Sequence, residues 1–136
     1  MRYPIRSIAA QQTLRFRQKH LWPDMPLEHV KVPGDETAHH LGAFDGQKLI
    51  GVASFFAHPK GVQLRKLAVD PMYRKRGLAS RMIEEGARCA KKDGHAQLWC
   101  DARQSALHFY ERLGFKIDPD VFEKSGVTYQ IARRAL

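Results

Sequence analysis

Between Val62 and Ala90 the apolar positions change period, from the alternation of a strand to the three- and four-residue spacing of a helix. In Val62–Val69, Val62 and Leu64 share one face while Leu67 and Val69 have the opposite parity. A strand buries both pairs on one face only if it carries an extra residue, which predicts a β-bulge near Arg65-Lys66. A strand buried on both faces fits the same pattern equally well. Beyond Pro71, positions Ala79, Met82, Ile83, Gly86, Ala87 and Ala90 fall on one helical face, with Arg81, Glu84, Glu85, Arg88 and Lys91 away from it. Asp93-Gly94 ends that helix, since glycine readily adopts the left-handed conformation at a helix C-terminus.

The flanks follow the same logic. Tyr3–Ile8 reads as a short β lead-in, and the strong helix formers after it, with Leu14, Arg17 and Leu21 spaced along them, predict a helix to about His20. Pro23, Pro26, Pro33 and Gly34 make Trp22–Asp35 a loop over the surface. His40–Phe44 and Gln47–Phe56 form a hairpin about Asp45-Gly46, a dipeptide suited to a tight turn. After the first long helix, Gln97–Cys100 gives a short strand and Ser105–Leu113 a second helix ended by Gly114. Phe115–Ile117 and, after the Ser125-Gly126 turn, Val127–Ala132 complete a mixed sheet with helices.

At 136 residues this is expected to be one domain, spanning 1–136. A charged fraction of 27% and a hydrophobic fraction of 43% are globular values. Charge narrows the picture: 23 Lys and Arg against 14 Asp and Glu give +9, which favours a polyanionic partner, whether nucleic acid, an acidic membrane or a phosphorylated ligand. Cys89 and Cys100 stand apart, in neither a disulfide framework nor a zinc spacing. The opening MRYPIRSI has no apolar signal core, and Leu49–Ala57 is too short to span a bilayer, so a reducing cytoplasm without membrane association is expected.

Arg74, Lys75, Arg76, Gly77, Leu78 and Ala79 lie between the bulged strand and the long helix. A helix N-terminus presents about four unpaired N–H groups and roughly half a positive charge, so it suits a phosphate. The loop lacks the Gly-Lys-Ser/Thr ending of a nucleotide-hydrolysing P-loop and the GxGxxG of a dinucleotide fold.

LAVDPMYRKRGLASRMIE, followed some thirty residues later by ALHFYERLGF, closely resembles the acyl-CoA-binding and C-terminal motifs of the GNAT N-acetyltransferase superfamily. Arg74-x-x-Gly77-x-Ala79 matches that family's Arg/Gln-x-x-Gly-x-Gly/Ala loop, and Ala106 to Phe115 its Ala-x-x-x-Tyr…Gly-Phe segment. The resemblance implies an α/β fold with a mixed, mostly antiparallel sheet whose fourth and fifth strands splay to admit the pantetheine of acetyl-CoA. By matching positions, the backbone of Leu67, Ala68 and Val69 meets the acyl carbonyl and pantetheine, and the Arg74–Ala79 amides meet the pyrophosphate. Tyr110 matches the tyrosine that protonates the departing thiolate in many members; a phenol with pKa about 10 carries that proton at neutral pH. Arg103 stands where many relatives have a coenzyme-contacting asparagine.

The implied activity is direct transfer of acetyl to a primary amine in a ternary complex, needing no metal, with nucleic acid disfavoured as partner and room for a homodimer. The contrasting reading is a noncatalytic CoA-sensing or basic RNA-binding module. An alkyl ammonium, with pKa about 10.4, must lose a proton before attack. Glu36 and His40 are the first candidates for the base, with His39 and Asp101 beside them; strand alternation turns His39 and His40 to opposite faces. Asp101, with Gln104 three residues on, reads more readily as the N-cap of the second helix. Trp22 and Trp99 read as packing residues.

Overall fold

The computed structural model describes residues 3–136. Seven strands form one sheet in the order β1-β2-β3-β4-β5-β7-β6: β1 (Ile5–Ile8), β2 (His39–Asp45), β3 (Lys48–His58), β4 (Gly61–Val69), β5 (Gln97–Arg103), β6 (Lys116–Lys124) and β7 (Val127–Ala135). All neighbours are antiparallel except β4 and β5, which run parallel. The helices are α1 (Ala10–Leu21), the single turn α2 (Leu27–Val30), α3 (Leu78–Lys92) and α4 (Leu107–Arg112). Among the described residues no helix is long and apolar enough to cross a membrane.

Each sheet face is covered by different helices. On one, Phe16 of α1 packs with Val52 and Ala68. On the other, Met82, Ile83, Ala87 and Ala90 of α3 and Tyr110 of α4 pack over Leu41, Phe55, Leu64, Leu98 and Ala132. The α3 stripe follows the expected spacing, except that Leu78 is buried and Ala79 only partly so. Gly86 lets the α3 backbone rest against the Phe55 ring, where a Cβ would overlap it.

The predicted bulge is present. From Ser54 to Val52, β3 advances two residues while the paired β4 positions advance three, from Arg65 to Ala68. Lys66 takes φ 58°, and its extra residue puts Val62, Leu64, Leu67 and Val69 all against the α3 side of the core.

Four expectations change. The hairpin turn is centred on Gly46-Gln47, because Asp45 and Lys48 already pair; Gly46 alone has positive φ, 60°, as a turn with a left-handed first central residue requires. Trp22–Asp35 is not simply a surface loop: it contains α2, and Val30, Val32 and Asp35 are buried. Asp101 caps no helix but lies within β5 opposite Ile131. The strand expected over Phe115–Ile117 runs on to Lys124, because β6 is an edge strand whose irregularity between Ile117 and Val121 accommodates Pro119.

Candidate active site

Strands β4 and β5 pair only at Val62–Leu98 and Gln63–Trp99. Beyond Gln63 they separate, so the β5-facing edge of β4 from Leu64 to Val69 has no strand to bond. An unpaired strand edge offers N–H and C=O groups to any extended ligand laid beside it. The bulge sits at the start of this free edge, where it turns the backbone of Lys66 and Leu67 out of the regular ladder.

At the far end of β4, Asp70 accepts a hydrogen bond from the Met72 N–H (2.9 Å) and shapes a 3₁₀ turn, Pro71–Tyr73. Lys75 (φ 62°) and Gly77 (φ 76°) are both left-handed, a backbone form that gathers N–H groups into an anion-binding concavity. Gly77 is the N-cap of α3, so no side chain caps the helix, and no acidic residue lies in its first turn. The space a Gly77 side chain would fill contains no protein atom within 4 Å. A cavity of ≈ 510 Å³ is lined there by Leu67, Ala68, Val69, Arg74, Lys75, Gly77, Leu78 and Ala79. The Arg76 guanidinium points elsewhere, donating to the Tyr3 hydroxyl (2.6 Å) and lying over the Tyr73 ring, and Arg76 does not line this cavity.

Leu21 and Leu67 also line a second cavity of ≈ 290 Å³ within the strand split. Its walls include Arg65, Lys66, Cys100, Asp101, Arg103, Tyr110, Lys124 and Tyr129. Tyr110 is 9% exposed and packs edge-on against Phe109 and Phe115. Burial, then the neighbouring Cys100, push its phenol well above the ordinary range, so the hydroxyl holds its proton. Burial likewise pushes the Cys100 thiol up to about 12, so this cysteine is not a poised thiolate. Burial, then the Arg65 charge, hold the Lys66 ammonium below its usual range. Arg103 lies in this second cavity rather than beside the phosphate loop.

The structure does not bring the two leading base candidates to the cleft. His40 is buried, with Nδ1 2.7 Å from Ser54 Oγ and Nε2 2.8 Å from the Asp35 carbonyl oxygen. A carbonyl only accepts, so Nε2 carries the hydrogen and Nδ1 accepts from the Ser54 hydroxyl, leaving no lone pair for an incoming ammonium. Glu36 is exposed and lines neither cavity. His39 faces the other side of the sheet, as alternation required, with Nε2 3.0 Å from Ser7 Oγ. Asp101 does line the cleft, held by Lys124 Nζ at 2.9 Å.

Sequence reasoning missed the cluster behind the cleft. Arg17, fully buried, donates to Asp35 through both terminal nitrogens, to the Val30 carbonyl (3.0 Å) and to Ser54 Oγ (3.0 Å). Burial raises the Asp35 pKa, but the Arg17 hydrogen bonds, the Val32 N–H and the Arg17 charge outweigh it and hold the carboxyl below its ordinary range. An arginine on the apolar stripe of α1 was the available signal.

The split sheet thus sets an unpaired strand edge beside an uncapped helix N-terminus. The family model described as "Acetyltransferase (GNAT) family" matches residues 5–115, and the chain belongs to that family. Acetyl transfer from acetyl-CoA is general to its members. The chain is 27% identical over 132 residues, covering 90% of it and 89% of the relative, to the uncharacterized N-acetyltransferase YitI of Bacillus subtilis. It is 29% identical over 76 residues to glucosamine 6-phosphate N-acetyltransferase of Trypanosoma brucei brucei, covering 51% of this chain and 52% of that one. A GNAT family acetyltransferase from Elizabethkingia anophelis with acetyl-CoA bound superposes with TM-score 0.77 at 14% identity, covering 99% of each chain.

Proposed function

We propose that this protein transfers the acetyl group of acetyl-CoA directly to a primary amine within a ternary complex. The observation that carries this reading is the continuity of three features along β4: the uncapped α3 N-terminus, the unpaired strand edge, and buried Tyr110 in the cleft beyond Leu67. The residues fit the carrier. Amides of the Arg74–Ala79 loop suit the pyrophosphate, with Arg74 and Lys75 adding charge. The free edge at Leu67–Val69 suits the pantetheine amides, and an N–H there aimed at the thioester oxygen stabilises charge as it develops.

In the step itself the amine nitrogen forms a bond to the acyl carbon while the carbon–sulfur bond breaks. Tyr110 donates the proton that converts the leaving thiolate to the thiol. The nitrogen's proton passes to water beside Asp101, the carboxylate within the cleft. Arg103 lines the second cavity rather than the loop that suits the pyrophosphate.

Purified protein incubated with acetyl-CoA and a library of small amines tests this reading through release of free thiol. Amine-dependent release is expected; thermal stabilisation by acetyl-CoA with no release on any amine makes the protein a CoA sensor instead.

A further inference from the structure

The second cavity is unbalanced in charge. Arg65, Lys66, Arg103 and Lys124 line it against one carboxylate, Asp101. Asp101 is committed to Lys124 at 2.9 Å. Among the described residues Arg65, Lys66 and Arg103 have no hydrogen-bonding or ionic side-chain partner; Arg65 meets only the Phe56 ring, 5.9 Å from its centroid. These residues come from β4, its bulge, β5 and the end of β6, so the convergence is made by the fold. Unpaired cations facing one partly desolvated space repel one another, and that repulsion is relieved when an anion enters.

Acetyl-CoA does not supply that anion if it lies as proposed above. Its phosphates belong at the α3 N-terminus, on the other side of Leu67, and the thioester end near Tyr110 is neutral. The cations therefore face the acceptor. Strand alternation points the same way: Asp101 and Arg103 share one face of β5, whereas Cys100 and Ala102 join the core beneath α3. The cleft thus has a thioester side at Tyr110 and a positive side opposite. Its ≈ 290 Å³ is the scale of a small molecule.

We infer that the acceptor is a small primary amine that also bears an anionic group, carboxylate or phosphate, held by Arg65, Lys66 and Arg103 while its nitrogen faces the acyl carbon. The inference rests on the acetyltransferase reading. A bound anion also suits Lys66, since it offsets the desolvation of its ammonium.

The test pairs amines that differ in the anion alone: β-alanine against β-alaninamide, and glucosamine 6-phosphate against glucosamine, with putrescine as a cationic control. The full-length chain is assayed for kcat/KM, and calorimetry with coenzyme A present gives binding independent of turnover. In at least one pair the anionic member is expected to be favoured by about tenfold or more, chiefly in KM, with the advantage shrinking as salt rises. The pair that shows it distinguishes carboxylate from phosphate. Arg65→Gln is expected to cut the preference severalfold while acetyl-CoA affinity holds. Equal use or binding of both members of each pair, no binding of either anionic amine, a preference for putrescine, or a preference untouched by Arg65→Gln overturns the inference. Failure of the protein to bind acetyl-CoA instead overturns the acetyltransferase reading.

Discussion

Arg17 and Asp35, eighteen residues apart, form a two-pronged ion pair inside the fold, with Nη1–Oδ2 at 2.8 Å and Nη2–Oδ1 at 2.9 Å. Through Ser54 and the Val30 carbonyl the same guanidinium ties α1 and the segment after it to β3. The Arg17 Nε has no partner, so the site depends on these other bonds.

Removing one partner strands the other charge. Asp35→Ala is expected to destabilise the protein by about 3–5 kcal/mol, whereas exchanging the pair for apolar residues in Arg17→Met with Asp35→Leu costs less than Asp35→Ala alone. Urea denaturation of both variants checks this, and a double variant less stable than Asp35→Ala rejects the account.

The same pair sets acid stability. The folded Asp35 pKa lies below its ordinary value of 3.8, so the unfolded chain takes up the proton first. Its stabilisation is present above pH 3.8 and is lost as pH falls through the lower folded value. Wild-type stability is therefore expected to drop below about pH 4 more steeply than that of Asp35→Asn, as followed by circular dichroism.

Tyr110→Phe is expected to lower kcat on the order of a hundredfold while acetyl-CoA affinity changes little, because the ring still fills its place between Phe109 and Phe115. Equal losses in both would make Tyr110 a binding group. Because burial raises this phenol well above its ordinary range, any alkaline fall in rate belongs to another residue.

Gly77→Ala separates conformation from space. No protein atom lies near the new methyl, but φ 76° is left-handed, which costs about 1–2 kcal/mol for an L-residue. Weaker acetyl-CoA binding by calorimetry, with a modest fall in Tm, is expected.

Gly86→Ala tests the α3–β3 contact, since the added Cβ overlaps the Phe55 ring. A loss of about 1–3 kcal/mol is expected, and Phe55→Leu in the same chain should recover part of it. Chemical denaturation of the single and double variants against the parent protein decides the matter.

Much of the fold was legible because its signals are short-range. The parity change between Leu64 and Leu67 marked the bulge, which the offset pairing with Val52 and Ser54 confirms. The α3 stripe and Gly94, at φ 89°, marked where that helix packs and where it stops. Asp101 and the far end of the strand begun at Phe115 were misjudged for the opposite reason. A carboxylate three residues before a glutamine satisfies a local capping rule. Strand β7 decided both by pairing with Asp101 on one side and bridging the irregularity around Pro119 on the other.

The sequence by itself determined the elements whose causes lie within a few residues: the strand before the basic loop, the phosphate-suited loop with Gly77, and the helix behind it. Only the tertiary structure decided that His40 is locked between Ser54 and Asp35, that Glu36 stays outside the cleft, and that Arg65, Arg103 and Lys124 meet across it. Periodicity and turn chemistry act between chain neighbours. The meeting of charges from β4, β5 and β6 depends on where two strands part, which no local pattern records.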